Sequence, residues 1–293
     1  MQSLMIGFKD AGLRLDKFLL KRSKLPWTLV NKLLRTGEVY AMNESGKTSS
    51  NLYKLQINDK FYFPKYINFD SPIVANNDMK DMFQKWIIYE DDDIIVINKP
   101  AGIATQGGIK IKLSADKLAM NYFEGSRLMH RLDQNVSGIM AFGKSSKACQ
   151  LDMEEKEYIG IVKGKPLKDK GELSTFLKES EEGWQEVNEV GKFAKTFYEM
   201  LTTSKYLGSP FSCLKFKLVT GRKHQIRVHA SKVLKCPLVG DYKYGFDCSE
   251  FNKEDRIYLH SWGLKIKGKK LEAELPQDFK DMQAKLGLHN LLK

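Results

Sequence analysis

Cysteine is scarce. The chain of 293 residues has four, Cys149, Cys213, Cys236 and Cys248, with no C-x-x-C pair and no histidine at finger-like spacing. Neither a zinc site nor a disulfide framework is implied, and without a secretory signal these thiols read as idle or buried. Long apolar runs are also missing: none approaches the roughly 20 residues of a membrane-spanning helix. The first twenty residues contain Asp10 and Asp16 and lack the n-region, h-region and cleavage site of a secretory leader. Together these absences point to a cytosolic protein, or one that has lost an organellar presequence. Acid is in deficit, with 36 Asp and Glu against 48 Lys and Arg, a net charge of +12. With 42% hydrophobic residues the chain can build a core, and its length suits two domains.

The positive charge is concentrated at the front. Residues 1–65 hold twelve Lys or Arg against five acids, a net of +7 out of +12. From charge alone this is either a footprint for a polyanion or a solvated lysine-rich surface. Leu15, Phe18 and Leu19 recur at i, i+3 and i+4 and predict a helix over 13–22, with Arg14, Lys17, Lys21 and Arg22 on the other faces. Pro26 suits the first turn of a second helix, with Val30, Leu33 and Leu34 as its stripe and Gly37 beyond its end. Strands are expected around 38–42 and 60–63, with Asn43, Gly46 and Asn58 as turn residues. Residues 66–85, polar and weakly periodic, read as a linker to a large second domain over 86–293.

In that second domain Trp86–Tyr89 and Ile94–Ile97 predict a hairpin, and Lys99-Pro100 ends it. Gly138–Phe142 reads as a buried strand, so His130-Arg131-Leu132-Asp133 lies on the loop before it. Asp133 is then a carboxylate presented by a rigid scaffold, a turn or capping residue, or half of a pair with Arg131. Leu214, Phe216 and Leu218 alternate with lysines as a half-buried strand broken at Thr220-Gly221. A helical stripe of Ile226, Ala230 and Val233 follows. Arg222, His224, Arg227 and His229 at that junction suit an anion site, helped by the helix N-terminus. His224 and His229 as metal ligands lack a third partner.

Two resemblances organise these pieces. R-L-D-K-F-L and L-L-R-T-G-E-V resemble the RNA-binding domain first described in small-subunit ribosomal protein S-four. That resemblance implies that Arg14, Lys17, Lys32 and Arg35 face phosphates, which anchor RNA without reading its sequence. H-R-L-D-x-x-V-S-G, Y-I-G-I-V-K-G, T-G-R-K-H-Q-I-R-V-H and P-L-V-G-D-Y-K-Y-G, in that order, resemble the RluA-type pseudouridine synthases. The resemblance spans most of residues 86–280.

It implies an α+β fold: a mixed, largely antiparallel sheet with a central active-site cleft, beside a small N-terminal α/β RNA-binding domain. It implies the redox-neutral isomerisation of uridine to pseudouridine in structured RNA, with no cofactor and no metal. Asp133 maps to the catalytic carboxylate, acting as nucleophile at the anomeric carbon or as base at its neighbour. Arg227 maps to the arginine that pairs with that carboxylate, and a guanidinium opposes the protonation that burial favours. Tyr158 maps to the tyrosine that stacks on the target base, with a core aromatic as the other reading. Arg131 maps to the residue that occupies the space a flipped base vacates. Lys195 and Thr196 match the strand on the floor of the site.

The implied partner is RNA, ribosomal RNA of the large subunit or a pre-ribosomal particle, bound by a monomer without a membrane. The implied compartment is the bacterial cytoplasm, or a mitochondrial matrix or other organelle. The competing reading keeps the fold as a catalytically inactive, RNA-binding ribosome-assembly factor. Three positions depart from the family pattern: Val136 where threonine is usual, a short interval between Asp133 and Tyr158 that trims the helix expected over 145–155, and Lys223 in place of a small hydroxyl residue.

Overall fold

A computed structural model describes residues 1–6, 10–23, 25–43, 46–56, 59–67, 77–107, 113–247, 251 and 256–288. Asn58 and Cys248 lie outside the described residues. The chain divides into two compact units, 1–74 and 75–293. No helix among the described residues is long and apolar enough to cross a membrane.

The front unit runs β1 (Gln2–Met5), α1 (Leu15–Ser23), α2 (Trp27–Arg35), β2 (Tyr40–Asn43), β3 (Gly46–Thr48) and β4 (Lys60–Phe63). Its four strands lie in the order β1-β4-β2-β3. Leu15, Phe18 and Leu19 from α1 and Val30, Leu33 and Leu34 from α2 form one core with Ala41 and Phe61, as their helical spacing requires. Gly37, at φ +68°, follows α2 where its carbonyls need a left-handed residue. Lys17, Lys32 and Arg35 are exposed. Arg14 is half-buried, its guanidinium on Asp16 at 2.8 Å. Arg22 pairs with Asp10.

The second unit begins earlier than polarity suggests. Within the stretch read as a linker stands α3 (Asn77–Gln84), whose Phe83 is fully buried. Phe83, with Met82 packed on the same cluster, docks the helix although most of its residues are polar. The order then runs β5 (Ile87–Glu90), β6 (Ile94–Lys99), α4 (Ala115–Tyr122), β7 (Arg127–Leu128), β8 (Ser137–Gly143) and β9 (Met153–Lys163). After these come β10 (Lys170–Glu179), β11 (Gln185–Val187), β12 (Lys192–Tyr206), β13 (Ser209–Leu218), α5 (Gln225–Val228), β14 (Leu259–Ile266), β15 (Lys269–Glu272) and α6 (Gln277–Lys285). Between β8 and β9 the trimmed helix is a single 3-10 turn, Ala148–Gln150.

The strands form one sheet in the order β11-β10-β12-β13-β9-β14-β8-β6-β5, with β7 and β15 attached to β8 and β14. Pairing is antiparallel except between β8 and β14. The fold is therefore mixed α+β with a largely antiparallel sheet, as the resemblance implies. Every residue of β8 is buried, as a central strand covered on both faces demands. On one face Ile95, Ile97, Met140, Phe142, Tyr158 and Phe216 pack against α3, α4 and the segment 226–238. On the other, α6 covers Ile159, Ile161 and Phe211. Gly138 sits at φ +114°, and a Cβ there would fall 2.2 Å from the Ser261 carbonyl oxygen. Only glycine lets β14 approach β8 this closely.

Candidate active site

The loop ahead of β8 is fixed from several sides. Leu132 gives its carbonyl to the Thr105 hydroxyl at 2.5 Å, and its N–H reaches the same hydroxyl oxygen at 3.1 Å. The fully buried Lys99 ammonium donates to the carbonyls of Pro100, Ile103 and Gln134 at 2.9, 2.8 and 3.2 Å. Burial draws its pKa down to about 7, with the Asp133 charge pulling upward and Arg256 downward. The Ala141 N–H donates to His130 Nε2 at 3.1 Å, and the Val136 N–H to the Asp133 carbonyl. Asp133 thus projects from a clamped turn, its side chain 28% exposed. Arg131, two positions earlier, is exposed.

The second half of the site comes from the segment after β13. Gln225 orders it by using its whole amide. Its oxygen accepts the Thr220 hydroxyl at 2.7 Å and the Arg222 N–H at 3.0 Å. Its nitrogen donates to the Lys195 carbonyl and the Thr196 hydroxyl, both at 2.9 Å. Thr196 and Lys195 are thereby supports rather than contacts of the cleft. Gln225 opens α5, which lasts four residues before a π-turn over His229–Val233.

Arg227 joins the halves. Its Nη1 donates to Asp133 Oδ2 at 2.7 Å, while Nε and Nη2 fork onto Asp241 at 2.8 Å each. The guanidinium lies over the Tyr244 ring, 4.9 Å from its centroid. Burial works against its charge, but hydrogen bonds and charge from Asp241, then from Asp133, hold the pKa above the ordinary arginine value. His224 faces the same carboxylate, with Nε2 3.6 Å from Asp133 Oδ1. Tyr158 is buried on β9. Burial pushes its phenol up to about 12, a hydrogen bond with Ser261 opposes this, and the Asp133 charge adds to it. The ring belongs to the core, and its hydroxyl lies within the field of the Asp133 charge.

Asp133, Arg227 and Tyr158 thus converge from elements far apart in sequence. Two members of the anion site expected at the strand-to-helix junction are already engaged within the protein. Arg227 is consumed by two carboxylates, and His229 is fully buried between the hydroxyls of Thr196 and Thr175 at 2.9 and 3.0 Å. Burial holds His229 near pKa 4, hence neutral. His224 and His229 are not joint metal ligands, and no cluster of three or more His, Cys, Asp or Glu among the described residues is arranged to hold a metal. Cys213 and Cys236 are buried and Cys149 is half-buried, all as free thiols. Asp241 and Tyr244 escaped the sequence reading as individual residues. Their signal was the carboxylate inside P-L-V-G-D-Y-K-Y-G. Gly240 beside it, at φ +82°, would place a Cβ 1.9 Å from the Arg256 carbonyl oxygen.

Residues 93–232 match the sequence pattern of the family described as RNA pseudouridylate synthase, a span containing Asp133, Tyr158, His224 and Arg227. Over 297 residues the chain is 35% identical to the ribosomal large subunit pseudouridine synthase C of Rickettsia bellii, covering 91% of this chain and 95% of that one. This chain belongs to the RNA pseudouridylate synthase family. It is also 28% identical over 316 residues to the mitochondrial RNA pseudouridine synthase 4 of Arabidopsis thaliana, covering 87% of this chain and 66% of that protein. In three dimensions it superposes on the human RNA pseudouridylate synthase domain containing 4 with a TM-score of 0.58 at 22% identity, covering 72% of this chain and 96% of the other. That likeness establishes the pseudouridine synthase fold.

Proposed function

We propose that this synthase converts specific uridines of large-subunit ribosomal RNA to pseudouridine, with Asp133 as the carboxylate that acts at the ribose. The observation that carries the reading is Asp133 held by the buried Arg227, in a chain so similar over its length to the Rickettsia bellii enzyme. The reaction breaks the bond between uracil N1 and ribose C1′ and makes one between uracil C5 and C1′, and the C5 proton is then lost as N1 gains one. Electrons balance without a second substrate. Asp133 serves either as nucleophile at C1′ or as base at C2′. Arg227 holds it in orientation through the bond from Nη1, and Tyr158 supplies an aromatic face and a hydroxyl toward the base and sugar. Arg131 fills the space left by the flipped nucleotide, whose extrusion costs a few kcal/mol.

The front unit is the S-four-like anchor. Lys17, Lys32 and Arg35 meet phosphates directly, and Arg14 joins them with its guanidinium shared with Asp16. The enzyme works as a monomer, in a bacterial cytoplasm or an organelle such as the mitochondrial matrix. Pseudouridine mapping of total RNA from cells with and without the protein tests this. One or more sites in large-subunit RNA are expected to vanish and to return with the wild-type chain but not with Asp133→Asn. Growth or ribosome defects rescued in full by Asp133→Asn would instead identify an assembly factor.

A further inference from the structure

Arg227 occupies one oxygen of Asp133 and leaves the other facing a histidine. His224 Nε2 stands 3.6 Å from Asp133 Oδ1, just outside hydrogen-bond length. The other ring nitrogen, Nδ1, is 2.8 Å from the Tyr244 hydroxyl oxygen. That oxygen already accepts the Gln185 backbone N–H at 2.9 Å. With the Gln185 N–H on one side of the oxygen, the phenol can turn its single proton to Nδ1, which then accepts it.

A neutral imidazole carries one proton, so an accepting Nδ1 puts that proton on Nε2. His224 is neutral at pH 7 because burial lowers its pKa. Asp133 opposes this from the loop before β8, while Arg227, Lys243 and Lys223 reinforce it. Glu179 at the end of β10 and Tyr244 complete the groups around the ring. The backbone is spent on this placement too: His224 sits at φ +54°, ψ +18°, a left-handed conformation uncommon outside glycine.

Resting on the reading of Asp133 as the reacting carboxylate, we propose that His224 is a positioning residue whose Nε2–H, its tautomer set by Tyr244, is the second donor to Asp133. When the target nucleotide fills the cleft, the 3.6 Å separation shortens to a hydrogen bond, as catalytic contacts do on substrate binding. Arg227 on Oδ2 and His224 on Oδ1 then stop rotation about the Cβ–Cγ bond and aim one remaining lone pair at the ribose. The line Gln185 N–H, Tyr244 hydroxyl, His224 ring, Asp133 ties the β10–β11 hairpin to the reacting atom.

The test is nitrogen-15 NMR of the full chain labelled at histidine, with single-turnover kinetics on its RNA substrate. Wild-type His224 is expected as the Nε2–H tautomer from pH 6 to 8. Tyr244→Phe keeps the ring under Arg227 but should mix the tautomers and cut kcat roughly ten- to a hundredfold at unchanged KM. His224→Gln, which can present an N–H to Asp133, should keep more activity than His224→Ala at equal thermal stability. An Nδ1–H or protonated ring in the wild type overturns the inference, as does wild-type kcat in Tyr244→Phe. Should Tyr244→Phe fail to fold, the wild-type tautomer and the Gln/Ala comparison still decide. Turnover by Asp133→Asn would sink the underlying site reading instead, whatever the tautomer.

Discussion

At the residue scale the molecule turns on Arg227. Its side chain is 8% exposed, and the Asp241 side chain that takes two of its N–H groups is 1% exposed. Removing one member of such a pair leaves a bare charge in the core, which costs about 3–5 kcal/mol. Arg227→Ala should therefore lose stability as well as turnover, and a urea midpoint within error of wild type would refute this pairing as a structural element. The arginine itself was visible in H-Q-I-R. Its second partner was not, because a bidentate contact between a single helical turn and a distant loop leaves no periodic trace in either.

At the element scale, the parts that local burial dictates were legible. The stripes of α1 and α2 and the wholly apolar β8 follow from side-chain spacing alone. The helix α3 was not legible, since its place depends on where Phe83 finds Phe142, with ring centroids 5.8 Å apart. Phe83→Ala is expected to destabilise the second unit by about 3–5 kcal/mol. The measurement is chemical unfolding followed through this unit's tryptophans. A change below about 1 kcal/mol would return α3 to the status of a linker. The π-turn after α5 was likewise hidden: Ile226 and Ala230 keep a helical interval, but Gln225 ends the preceding loop by hydrogen bonds that no apolar pattern encodes.

At the scale of the whole molecule, two charge effects are measurable. Buried His229 and His260 have pKa values drawn down to about 4 by burial. In the unfolded chain they titrate at the ordinary value near 6.5, so between these limits the unfolded state binds more protons. Stability is then full above pH 6.5 and falls as the pH drops toward 4, by roughly 2 kcal/mol per histidine at pH 5. Urea midpoints equal at pH 7.5 and pH 5 would contradict it. The front unit supplies the second effect. Deleting it should weaken RNA binding and reduce the salt slope by roughly 0.7–0.9 for each phosphate it neutralised. An unchanged slope would mean its positive charge is only solvated surface.

The parallel seam between β8 and β14 has a consequence in time. Ser137 and His260 meet at 2.8 Å although they stand 123 positions apart, and the Ile257 N–H reaches back to the Asn135 carbonyl beside Asp133. The strand that completes the surroundings of the Asp133 loop is thus translated long after the loop itself, and it must slip between β8 and β9 at the middle of the sheet. Until residue 266 has left the ribosome, both neighbours show bare inner edges and Asp133 has no finished surroundings. Such distant closure is slow compared with helical assembly. The surroundings of Asp133 are therefore finished in one late event of folding, after most of the chain has been made.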